Sequence, residues 1–101
     1  MQIGIDAPNE RIAAQVDQLL SFGLSGLAHK IEHVRVRFRR QIDPLGDPLH
    51  LCCVHVSLYS RQSIDIHEIQ VDPTLAITRA LDRAARSIRR VERLRRLNST
   101  V

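Results

Sequence analysis

Ile31 to Arg39 is expected to alternate strictly, with Val34, Val36 and Phe38 on one face and His33, Arg35, Arg37 and Arg39 on the other. Period-two alternation of this kind is the pattern of a strand buried on one side and wet on the other. It recurs over Leu49 to Leu58, where Cys52, Val54, Val56 and Leu58 point inward and Cys53, His55 and Ser57 outward. A third segment carries Ile64, Ile66 and Ile69 as inward positions, with Asp65 and His67 outward. Asp43-Pro44-Leu45-Gly46-Asp47-Pro48, within a turn over Gln41 to Pro48, is turn chemistry, and a second short turn falls at Ser60 to Gln62. The three segments therefore predict an antiparallel meander. A sheet with one apolar face must be covered, so the rest of the chain has to supply a second layer.

Two segments can do so. Gln2 to Asp6 reads as a short strand with Ile3 and Ile5 on one face, broken by Pro8 and Asn9. Asn9 is an N-cap residue type, and Ile12, Val16, Leu19, Leu20 and Leu27 follow at helical spacing, away from Arg11, Gln15, Asp17 and Gln18. Gly23, Ser25 and Gly26 lower helix propensity, which places the exit before Lys30. Asp72-Pro73 opens a second helix, Asp as cap and Pro at the first position, where its missing N–H costs nothing. Its pattern runs to about Leu97, a rod of about 37 Å that outruns a small sheet, so its tail should project. The order is β-α-β-β-β-α, an α+β two-layer sandwich with a four-stranded sheet and two helices on one face. At 101 residues it is expected to be one domain, ordered over about residues 1–97.

The last helix has two faces. Wound at about 100° per residue from Ile77, the residues Ala80, Leu81, Ala84, Ile88 and Val91 fall within about 60° of it. Arg79, Arg83, Arg86, Arg90 and Arg93 fall opposite, and Arg89 and Arg96 flank them. Arg95 returns to the inward angle, so the helix should have left the sheet by then. Asp72 to Leu97 holds eight arginines against three acids, a charge of +5, whereas Met1 to Val71 has seven basic residues against eight acidic ones, or −1. All of the net positive charge sits on one helix. Like charges three and four residues apart repel by a few tenths of a kcal/mol per pair. The only acids at compensating spacing are Asp82 for Arg86 and Glu92 for Arg96. A run that costs stability points to a polyanionic partner. Arg35, Arg37 and Arg39 on the outer sheet face are a second set of candidate contacts, or a device that keeps an open sheet soluble.

Other chemistries find little support. Fourteen of the fifteen basic residues are arginine, the side chain whose planar fork grips phosphate oxygens in pairs, and Lys30 alone in a loop is expected to be solvated. Three aromatic residues, Phe22, Phe38 and Tyr59, are too few for a ring-rich base-stacking platform, so nucleic-acid contact must run through charge. Cys53, His55 and His67 share a face but lack paired metal-ligand spacing, and no metal or cofactor is expected. Asp65 and His67 share an open sheet face without a cleft, and no enzyme activity or small-molecule substrate is expected. Adjacent Cys52 and Cys53 are poorly placed to bond to each other, and no secretory leader or spanning stretch is legible. A reducing cytoplasm is the expected location.

The element order, Gln2-Ile3-x-Ile5, Val34-x-Val36-x-Phe38, and above all Asp72-Pro73-Thr74-Leu75-Ala76-Ile77 followed by Asp82-Arg83-Ala84-Ala85-Arg86, resemble the ribosome hibernation-promoting factor and ribosome-associated inhibitor A family. The resemblance covers essentially the whole chain and matches the short form, without the C-terminal dimerisation domain of long members. It implies that Arg83, Arg86 and Arg90 stand where family members carry basic residues that meet 16S rRNA in the small-subunit channel used by mRNA and tRNA. Thr74 stands where the family usually has tyrosine, and Thr78 where it usually has aspartate. The expected protein is a monomer that binds the small ribosomal subunit and blocks translation in idle ribosomes. Two alternatives fit the charge pattern: a module docking an acidic protein surface, and a general double-stranded-RNA binder.

Overall fold

The computed structural model describes residues 1–99. In chain order it holds β1 (Gln2–Asp6), α1 (Glu10–Gly23), a 3₁₀ segment (Ser25–Lys30), β2 (Ile31–Ile42), β3 (Pro48–Leu58), β4 (Ser63–Gln70) and α2 (Pro73–Ser99). The sheet order is β1-β2-β3-β4, with β1 parallel to β2 across the α1 crossover and the other two pairs antiparallel. Both helices cover the same face. Ile12, Val16 and Leu20 of α1 and Ile77, Leu81 and Ile88 of α2 share one buried cluster with Val34, Val36, Val54, Val56, Ile64 and Ile66 of the sheet.

The local chemistry explains the ends of each element. Asn9 Oδ1 accepts the Ile12 N–H at 2.9 Å, satisfying a donor that the first turn of α1 leaves unpaired. At the other end α1 stops at Gly23, four residues short of the expected Leu27. The Leu24 N–H still bonds to Leu20 O at 3.0 Å, and the chain then tightens into 3₁₀ turns. That change of winding brings Leu24 and Leu27 both into the core, with Ile31 next. For α2, Asp72 Oδ1 accepts the Thr74 N–H at 2.9 Å, and Asp72 O accepts the Ala76 N–H at 3.0 Å.

The β2–β3 hairpin is longer than expected, pairing out to Ile42 and Pro48. Its turn is built on Asp43, whose Oδ1 accepts the N–H groups of Leu45 and Asp47 at 2.9 and 2.8 Å. Gly46 closes it at φ +88°, a conformation open to glycine at little cost. Near the start of β2 the register shifts between Ile31 and His33, so Ile31 and Val34 both face inward although three residues apart. In β4 the expected inward Ile69 is wrong: it is 51% exposed. Strict alternation carries Ile64 and Ile66 on to Glu68, and Glu68 takes the sheltered position because an α2 arginine meets it there. The α2 stripe is as expected, with Ala76, Ala80, Ala84 and Ile88 fully buried, and residues 93–98 are all exposed. The long dimension of the molecule, 53 Å against 27 and 17 Å, reflects a helix longer than the sheet it covers. No helix is long and apolar enough to cross a membrane.

A Cβ at Gly46 meets no atom within 4 Å, so replacing it costs only backbone strain. Gly46→Ala should therefore lower the unfolding free energy by about 1–2 kcal/mol, read as a lower urea midpoint with an unchanged slope.

Candidate nucleic-acid interface

The burial of one α2 stripe fixes the direction of the other. With Ile77, Ala80, Ala84 and Ile88 against the sheet, Arg79, Arg83, Arg86, Arg90 and Arg93 all lie exposed on the opposite side. They are not equivalent. Arg83 leans over the sheet edge, where one Nη1 donates to His67 O and to Glu68 Oε2, both at 2.8 Å. Gln70 Nε2 donates to the other Glu68 oxygen at 3.0 Å. The Gln70 and Arg83 hydrogen bonds, in that order, hold the Glu68 carboxyl below its ordinary range. Arg86 pairs with Asp82 at 2.9 Å, the expected spacing-four pair, with both side chains about two-thirds exposed. Arg83, Arg86 and Arg90 border one shallow concavity with Ser87. Arg89 turns to the α1 side, lining a groove with Leu19 and Phe22.

The second expected pair, Glu92 with Arg96, is replaced by another arrangement. Glu92 is 4% exposed, the one charged residue buried among those described. Its Oε2 receives Arg95 Nη2 at 3.1 Å, Arg95 Nε at 3.3 Å and Lys30 Nζ at 3.4 Å, and its Oε1 receives Ser60 Oγ at 3.4 Å. Lys30 is therefore no solvated loop lysine; it ties the start of β2 to α2. Burial acts to raise the Glu92 pKa, but hydrogen bonds from Arg95 and Lys30 outweigh it and hold the carboxyl below its ordinary range. Arg95 can occupy an inward angle because Glu92 accepts it where apolar packing has ended. Glu92 lies about 60° from Ile77 on the helix wheel, at the margin of the core stripe, and that position was the available sequence signal.

Arg35, Arg37 and Arg39 lie on the uncovered outer sheet face, so the structure separates them from the α2 arginines by the whole thickness of the domain. Arg39 Nη1 bonds to Asp6 Oδ2 and Phe38 O, each at 3.3 Å. Arg35 and Arg37 border a concavity of about 440 Å³ with His33, Cys53, His55 and His67. Cys53 stands opposite His67 and His55 opposite Asp65, as the parity predicts. His55 Nδ1 lies 2.7 Å from Asp65 Oδ1, and His55 Nε2 lies 3.2 Å from Ser57 Oγ. Asp65 thus faces a histidine and has no arginine partner among the described residues, and Arg35 and Arg37 border the same concavity. Among the described residues no group of three or more His, Cys, Asp or Glu is placed to hold a metal ion. The two threonines that depart from the family pattern have local work. Thr74 Oγ1 donates to Gln15 Oε1 at 3.1 Å, joining the helices, and Thr78 Oγ1 donates to Thr74 O at 2.8 Å.

No protein-family model matches the chain, and no curated protein matches it. Solved structures do. A ribosomal subunit interface protein from Coxiella burnetii superposes with a TM-score of 0.68 at 14% identity, covering 91% of this chain and 98% of that one. The N-terminal domain of Thermus thermophilus Protein Y also superposes with a TM-score of 0.68, at 18% identity, covering 90% of this chain and 99% of that one. The chain shares their fold. The resemblance read from the sequence is thus matched in architecture over nearly the whole chain.

The Glu92 cluster has a pH signature. A carboxyl with a depressed folded pKa adds stability that is complete above its unfolded pKa, about 4.3, and is lost as pH falls through the folded value. Glu92→Gln should cost roughly 1–3 kcal/mol at pH 7, with partly exposed partners keeping the figure modest. The gap between urea melts of the two proteins should be constant above the unfolded value and narrow progressively as the pH is lowered beneath it.

Proposed function

We propose that this protein is a ribosome-associated translation inhibitor that binds 16S rRNA in the decoding channel of the small subunit through the arginine face of α2. The observation that carries the reading is the placement of charge. The helix with all of the net positive charge turns five arginines away from its core stripe, on a fold shared with a ribosomal subunit interface protein. Guanidinium groups on one rigid helix can pair with phosphate oxygens without reorganising the domain. Occupying the channel is itself the mechanism: an exposed, rigid helix excludes mRNA and tRNA sterically, and no catalytic step is required. Arg86, Arg90 and Arg93 form the centre of this interface, Arg79, Arg89 and Arg96 its flanks, and Arg83 its border with β4. Arg35, Arg37 and Arg39 are a separate surface on the opposite layer. The working form in this proposal is a cytoplasmic monomer.

Co-sedimentation with separated ribosomal subunits over a potassium chloride series tests the reading. The chain should travel with the small subunit at low salt. Neutralising about five phosphates implies a loss of about one hundred- to five hundredfold in affinity between 50 and 200 mM salt. Arg86→Glu with Arg90→Glu should lower affinity at least tenfold and leave the thermal midpoint within a few degrees, since neither side chain is in the core. Absence from the small-subunit fraction at low salt overturns the proposal. Retention by this variant, with loss in Arg35→Glu plus Arg37→Glu, moves the interface to the sheet.

A further inference from the structure

The groove between α1 and α2 contains an aromatic ring that the charge argument does not use. Phe22 is one residue from the end of α1, two residues past the buried Leu20 and so turned about 200° from it. It is 76% exposed, whereas Phe38 is 8% exposed and packed in the core. The ring lines a groove of about 350 Å³ together with Leu19 of α1 and Thr78, Leu81, Ala85 and Arg89 of α2. Leu81 and Ala85 are 5% and 6% exposed, so this part of the lining is the outer skin of the core. Gly23 follows the ring without a Cβ to narrow the opening. The one acid on the rim, Asp82, is neutralised by Arg86 at 2.9 Å.

We propose that this groove is a nucleobase site: it takes one unpaired base of the bound RNA against Phe22, with the adjoining phosphate on Arg89. This rests on the RNA-binding reading above and adds a selectivity to it. The groove has the size of a small ligand site, at the lower end of the roughly 300–1,000 Å³ range, and is too small for a helix or strand of a partner protein. Its contents match a base: an apolar lining, a π-face, and a cation at the edge that continues the phosphate-binding side of α2. An acidic peptide satisfies Arg89 but leaves the ring and apolar lining uncovered. A duplex meets the arginines but keeps its bases stacked on one another, so the ring selects single-stranded or looped RNA. Phe22 has no hydrogen-bonding edge, and the preference should be for an unpaired base of any identity.

The test compares an eight-nucleotide oligoadenylate with the same strand lacking all of its bases, which keeps every phosphate. By fluorescence anisotropy, wild type should bind the abasic strand about tenfold more weakly, within the range contributed by one stacked base. Phe22→Ala should bind the intact strand about tenfold more weakly than wild type, lose the discrimination and keep the salt slope. Phe22→Tyr should retain all three properties. The chain has no tryptophan, so Phe22→Trp places a single indole in the groove. The intact strand should quench it and the abasic strand should not. Discrimination that survives Phe22→Ala overturns the base site while leaving the arginine interface standing. Failure of wild type to bind either strand, together with absence from the small subunit, overturns both. Quenching by octaglutamate and not by RNA makes the occupant an acidic peptide and overturns the proposal.

Discussion

The phase in which α2 meets the sheet governs this molecule. Three alanines spaced by four, Ala76, Ala80 and Ala84, are fully buried and let the helix backbone approach β3 and β4 closely. Larger residues, Ile77, Leu81 and Ile88, fill the space on either side. Packed at interior density, such a contact tolerates little rotation, because turning the helix by one residue would drive an arginine into the core. The outward direction of the arginines is therefore a consequence of apolar packing, with no polar interaction needed to aim them.

The same packing sets where the helix becomes free. Val91 is the last residue of α2 packed against the apolar cluster, and Glu92 follows it as a buried carboxylate held by Lys30, Ser60 and Arg95. A buried charge is costly unless its partners are present, so this cluster anchors the final covered turn to both the start of β2 and the β3–β4 turn. Beyond it, residues 93–98 are exposed, including Leu94 and Leu97. The anchor thus marks where the covered part of α2 ends and the exposed overhang begins.

What could be read from the sequence depended on whether the deciding neighbour was close in the chain. The parity of Val34 to Phe38 and of Cys52 to Leu58, the caps at Asn9 and Asp72 and the opposition of stripe and arginines are local, and each is present as read, while the parity read from Ile31 is broken by a register shift before His33. The other departures have distant partners. Ile69 looked like a core residue, yet the alternation belongs to Glu68, whose reason is Arg83 fifteen residues later. Lys30 and Glu92 are sixty-two residues apart, and neither announces the other. Leu27 fits a helical repeat from α1, and only the glycines and the 3₁₀ winding move it elsewhere. Phe22 is one of three aromatic residues in the sequence, too few for a platform. A single ring beside a groove depends on how α1 sits on α2, which composition does not reveal.

The placement of acids leaves some arginines in salt bridges and others without one. Glu68 takes Arg83, Asp82 takes Arg86, Glu92 takes Arg95 and Asp6 takes Arg39. Exposed pairs of this kind are worth little, about 1 kcal/mol or less, but they relieve the repulsion between arginines three and four residues apart. Arg90 and Arg93 on α2, and Arg35 and Arg37 on the sheet, have no salt bridge of their own among the described residues. These two unpaired sets lie on opposite layers of a domain whose shortest dimension is 17 Å, about two Debye lengths at physiological salt. In the proposed reading they are separate candidate surfaces. The α2 set has the stronger claim to RNA because it adjoins Arg86, Arg89 and an exposed ring on one rigid rod, while the sheet set is flanked by Asp65 and Asp6.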